Sequence, residues 1–269
     1  MKRFLTVLLV AVTGLALFAN GNQEVPGKDD SLDKVMKKGV FVLGLDDSFP
    51  PMGYRNDDNE IVGFDIDLAK EVTKRMGVEL KCQPIDWNSK EQELATGNID
   101  CIWNGFTITP EREKVLTFTK PYMNNAQVLV VKGNAPYQAL ADFAGKTIGV
   151  QAGSSSNDAI DANVQFKSSL KQIIDFKDNL TALMDLQSGG VDAVAVDLMV
   201  ATDNIKRSGK DFRILKQTLA DEQFGVGFRK GDLALRDKVQ EELDAMANDG
   251  TMAKISTQWF GSDITVIGK

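Results

Sequence analysis

The sequence predicts an α/β protein with largely parallel sheets, and three observations carry that expectation. Short apolar runs suited to buried strands alternate with helical stretches along most of the 269 residues. The helical stretches repeat apolar residues at helical spacing, as Phe64, Leu68, Val72 and Met76 do. Glycines follow several of them, at Gly39, Gly77, Gly97 and Gly250, where a left-handed residue ends a helix. At 43% hydrophobic and 26% charged, the chain is globular in composition and long enough for one large domain or two ordinary ones.

In chain order, residues 20–28 are polar with Pro26 and Gly27 and read as a tether. A short helix is expected over 32–37 and a buried strand over 40–45. Helix 65–76, strand 78–85, helix 90–96, strand 100–103 and a helix opening at Pro110 follow. Strands are expected at 127–131, 147–150, 173–176, 191–196 and 223–228, with helices at 179–187 and 198–205 between them. Leu235, Val239, Leu243 and Met246 mark a long amphipathic helix, and 251–259 a last one. In such folds ligands bind at the carboxyl ends of strands. The loops at 46–52, 104–109 and 153–156, and Asp197 at the end of VDAVAVD, are therefore the candidate site.

Composition excludes several chemistries. The chain has no histidine, which rules out a Ser-His-Asp triad, a Cys-His pair and a His-based zinc site. Two cysteines, Cys82 and Cys101, are too few for a thiolate metal site; both lie in strand-like runs and read as buried free thiols, with a disulfide as the alternative. No metal or cofactor is expected. A net charge of −7 argues against a nucleic-acid partner. At the amino terminus, Lys2 and Arg3 precede an apolar run over 4–18, which reads as a secretory leader ending near Ala19. The mature chain is expected outside the inner membrane. No cysteine follows the apolar run, so lipid anchoring is not supported.

Each candidate has a plain structural reading beside the functional one. In NGFTITPER, Thr109 and Pro110 fit the cap and first position of a helix, which puts Arg112 in its first turn. A cation gains nothing from the helix dipole there, but it suits a bound carboxylate; pairing with a surface acid is the alternative. GSSS at 153–156 offers backbone N–H groups to an anion, or is simply a helix cap. Asp197 suits an ammonium group, or caps the next helix. Phe49 and Trp87 follow strands at comparable positions and could flank a ligand side chain, or pack in the core.

The stretches DDSFPPM, IVGFDIDLAKEV, NGFTITPER, GVQAGSSS, VDAVAVD, FGVGFRKGD and DGTMAKISTQWFG together resemble family 3 of the bacterial extracellular solute-binding proteins, the amino-acid-binding components of polar-amino-acid ABC transporters. The resemblance covers nearly all of the chain after the tether. It implies a two-lobed clamshell of the type II class with two hinge strands, lobe 1 at 29–124 plus 226–269 and lobe 2 at 125–225. It further implies that Arg112 holds the ligand carboxylate with backbone N–H groups of Thr107 and Ser155. Asp197 would take the ammonium group, helped by the Gly105 carbonyl and the Thr107 hydroxyl. Phe49 and Trp87 would be aromatic walls, and Asp46 would meet a polar or cationic side chain, with Asn104, Gln151 and Ser154 nearby. Asn104 and Gly105 stand where many family members carry small or hydroxylated residues, which leaves ligand identity open. The partners implied are an amino acid and an ABC permease in the inner membrane, and a monomer is expected. The same fold hosts cyclohexadienyl dehydratases and amino-acid sensor modules, the two alternatives; an enzyme is not expected.

Overall fold

The apolar run VFVLGL makes the central strand of the first sheet because both of its faces are covered; Phe41, Leu43 and Leu45 are fully buried. The structure is a computed structural model that describes residues 29–269; the expected leader (1–19) and tether (20–28) lie outside the described residues. Val40–Leu45 pairs in parallel with Glu79–Pro84 on one side and Cys101–Ile102 on the other. Gly227–Arg229 and then Leu116–Phe118 complete this five-stranded sheet in antiparallel fashion. Helices Ser31–Lys38, Phe64–Met76, Leu233–Asn248 and Thr251–Phe260 pack together beside it. In Phe64–Met76 the buried residues Phe64, Leu68, Val72 and Met76 form the stripe the sequence predicts, and Gly77 closes the helix at φ 72°.

The second sheet has six strands. Gln172–Phe176, Thr147–Gln151 and Ala193–Asp197 run parallel, and Met123–Lys132 is antiparallel to Ala193–Asp197. Phe212–Ile214 and Ala220–Phe224 both pair with Met123–Lys132, at opposite ends of it. The chain thus enters the second sheet through Met123–Lys132 and leaves it through Ala220–Phe224. These are the two crossover strands of a type II clamshell, with a lobe built on each sheet.

The expected single strand at 223–228 is corrected. It is two strands, Ala220–Phe224 in the second sheet and Gly227–Arg229 in the first, with the chain passing between lobes at Gly225 and Val226. An apolar run hides this break because both halves are buried. The loop expected at 46–52 contains the start of a small antiparallel sheet, Ser48–Phe49, Gly53–Arg55 and Ile61–Val62. Cys82 and Cys101 are free. Both stand opposite Leu43, one on each side of the central strand, so a whole strand separates them. At about 4.8 Å per strand they are too far apart for a disulfide. Among the described residues, no helix is long and apolar enough to cross a membrane.

Candidate functional site

The carboxyl ends of the strands from both sheets meet in one cleft, and the two walls touch directly. Gln151 Nε2, from the second sheet, donates to Asp46 Oδ2 of the first lobe at 2.7 Å. Thr107 Oγ1 lies 3.1 Å from Ser155 Oγ. Lys90 Nζ reaches across to the Gly153 carbonyl at 2.8 Å.

Arg112 is set by its helix start. Thr109 accepts from the Arg112 backbone N–H and Pro110 takes the first helical position, as the sequence predicts. The guanidinium is buried and stacks on Phe106, 4.5 Å from the ring centroid. It donates to the carbonyls of Thr107 at 2.8 Å and Gly153 at 3.5 Å. Burial lowers its pKa, opposed by the carboxylates of Asp158, Glu91, Glu222 and Asp197. Trp87 sits edge-on to Phe106 at 5.7 Å, so it supports the platform under Arg112.

On the facing wall, Asp197 ends Ala193–Asp197 and precedes the helix Leu198–Ser208, but its side chain makes no cap bond. Its Oδ1 instead accepts from Asn125 Nδ2 at 2.7 Å and Gln127 Nε2 at 2.8 Å. Burial, with the Glu222 charge added, pushes its pKa well above the usual carboxylate range. Among the described residues neither Arg112 nor Asp197 is held in an ion pair: one donates to carbonyls, the other accepts from amides. Buried charges left in this condition are costly to a fold that does not use them.

The remaining candidates divide into two groups. Asp46, Gln151 and Asn179 form one end of the cleft, with Asn179 Nδ2 donating to Gln151 Oε1 at 3.0 Å. Burial raises Asp46 to about 6, and Asp178 and Asp47 push the same way. Asn104 works through Asp46: its Oδ1 accepts from the Asp46 backbone N–H at 3.0 Å. Gly105 adopts φ 55°, and a Cβ there would lie 2.9 Å from Phe49. Phe49 is buried against this turn. Ser154 stands at the start of the helix Ser155–Ala162 without a side-chain cap bond, and among the described residues its buried Oγ has no partner. Thr107 Oγ1 donates to Glu222 Oε2 at 2.9 Å, and Gln127 Nε2 lies 3.1 Å from Ser155 Oγ.

Sequence reasoning missed Lys90, Phe106, Asn125, Gln127, Asn179 and Glu222. One signal was available: Asn125 and Gln127 are polar residues two apart at the head of an apolar strand, so they share one face.

Two α/β lobes joined by two crossover strands, with a guanidinium on one wall and a carboxylate on the other, define a clamshell binder for a small dipolar solute. The profile of the bacterial extracellular solute-binding proteins, family 3, matches residues 41–262, and the chain belongs to that family. It is 31% identical over 259 residues to the L-cystine-binding protein TcyJ of Escherichia coli (strain K12), covering 96% of each chain. The crystal structure of Tv2483 bound to L-arginine superimposes with a TM-score of 0.86 at 34% identity, over 90% of this chain and 99% of that one. A substrate-binding protein of an ABC uptake transporter from Streptococcus pneumoniae, with bound histidine, gives a TM-score of 0.86 at 36% identity, over 88% and 98%.

Proposed function

We propose that this protein captures a free amino acid with a polar or basic side chain in its interlobe cleft and delivers it to an ABC permease in the inner membrane. It acts as an exported monomer in the periplasmic or extracytoplasmic space. The lobes are 29–124 plus 226–269 and 125–225. Arg112 receives the ligand carboxylate with the backbone N–H groups of Thr107 and Ser155. Asp197 receives the ammonium group, helped by the Gly105 carbonyl and the Thr107 hydroxyl. Phe49 and Trp87 flank the side chain, and Asp46, with Asn104, Gln151 and Ser154 around it, receives its polar end.

The observation that supports this reading is a buried guanidinium and a buried carboxyl group on opposite walls, neither held in an ion pair among the described residues. Only a ligand carrying both charges satisfies both walls, and it does so only when the lobes are together, so binding favours closure. The anionic surroundings of Asp46 favour a basic or hydrogen-bonding ligand side chain. Calorimetric titration of Arg112→Ala and Asp197→Ala tests the assignment. Each substitution should weaken binding by about 2–5 kcal/mol while leaving the fold intact. Near-normal affinity in either variant would refute it.

A further inference from the structure

We propose that Glu222 is a specificity-determining ligand contact: with Asp197 it forms a paired-carboxylate seat for the ammonium group of the bound amino acid. The proposal rests on the amino-acid reading above.

Three antiparallel strands build the seat. Asp197 stands opposite Gln127 in the ladder between Ala193–Asp197 and Met123–Lys132. Glu222 stands opposite Asn125 in the ladder between Met123–Lys132 and Ala220–Phe224. Asn125 and Gln127 are two apart and share a face, so the four side chains converge on one patch. The two acids share the same donors. Gln127 Nε2 donates to Asp197 Oδ1 at 2.8 Å and to Glu222 Oε2 at 2.9 Å. Asn125 Nδ2 donates to Asp197 Oδ1 at 2.7 Å and to Glu222 Oε2 at 3.4 Å. Glu222 Oε2 also faces the cleft hydroxyls of Thr107 at 2.9 Å and Ser155 at 3.3 Å. Two carboxylates on shared neutral amides repel each other unless one takes up a proton or a cation lies between them.

The acceptors also count correctly for an ammonium group. Its three N–H donors need three acceptors. Asp197 and Glu222 supply two. The third can come from the Gly105 carbonyl or from Asn125 Oδ1, which among the described residues is buried and without a partner although its own amide nitrogen bonds both acids. Thr107 Oγ1 donates its hydrogen to Glu222 and keeps its lone pairs facing the same seat. One carboxylate would suffice to neutralise the ammonium charge. A second makes the pole select for charge: a ligand carrying a neutral hydroxyl at that carbon would leave the two acids without a cation between them.

The test compares wild type, Glu222→Gln and Glu222→Asp, using the amino acid found to bind wild type most tightly and its α-hydroxy acid counterpart. Affinities come from calorimetry, with the hydroxy acid measured by competition, and thermal unfolding checks that each variant is folded. Glu222→Gln should weaken the amino acid about tenfold or more while changing the hydroxy acid by less than about twofold, and Glu222→Asp should recover part of the preference. An unchanged preference in Glu222→Gln, or equal weakening of both ligands, would overturn the proposal while leaving the amino-acid reading standing. A wild type that binds no amino acid would overturn both.

Discussion

Asp65 is fully buried in the first turn of Phe64–Met76, and its Oδ2 accepts from the Gly105 N–H at 2.6 Å and from Tyr122 OH at 3.0 Å. It thereby anchors the loop that carries Gly105 and Thr107 into the cleft. Burial raises its pKa to about 7, and that of Asp46 to about 6. The folded state therefore holds protons on these groups at pH values where the unfolded chain, titrating near 3.8, has released them. Stability must fall as pH rises through that window. The ligand-free protein should melt at a lower temperature at pH 8 than at pH 5, and Asp65→Asn should reduce the difference, leaving the part that Asp46 and Asp197 contribute. The Asp65 contribution is at most on the order of 4 kcal/mol. A melting temperature that rises from pH 5 to pH 8 would contradict it. At Asp46 the expectation concerns selectivity: Asp46→Asn should reduce the preference for a basic over a neutral ligand by about tenfold, read by titration with both.

At the scale of elements, the short helix Pro110–Val115 carries Arg112 in its first turn. Its cap is Thr109, so Thr109→Ala should cost about 0.5–2 kcal/mol of stability. It should also weaken ligand binding, because the guanidinium loses its fixed approach to the cleft. Asn163, the cap of Val164–Ser169, accepts from Phe166 N at 3.1 Å on another helix. Asn163→Ala should therefore cost comparable stability and leave affinity unchanged; equal affinity losses in both variants would contradict this. The elements that carry Arg112 and Asp197 were legible in the sequence for local reasons: a Thr-Pro helix start, and an acid at the end of an apolar strand. Glu222 was not, because its role depends on the register of three strands drawn from distant parts of the chain. The break at Gly225 was hidden for a related reason. Phe224 and Val226 are both fully buried in one continuous core, although the strands on either side of Gly225 belong to different sheets. Hydropathy reports burial and says nothing about which sheet a strand pairs with.

At the scale of the molecule, the cleft has three poles. Arg112 lies at one and the Asp197–Glu222 pair at another, with Asp46, Gln151 and Asn179 at the third. The crossover strands do more than connect the lobes, since Asn125, Gln127 and Glu222 all lie on them and bond the site. Ligand at a hundredfold excess over its dissociation constant should stabilise the folded protein by about 2.7 kcal/mol, so a thermal-shift screen of amino acids will identify it. With that amino acid in hand, one measurement tests the central claim most directly. Calorimetric titration compares the intact zwitterion with its decarboxylated amine and its deaminated α-hydroxy acid. If each wall neutralises one charge, both analogues bind roughly 30-fold or more weakly, the equivalent of about 2 kcal/mol or above. An analogue lacking one of the charges that binds as tightly as the zwitterion would contradict the account.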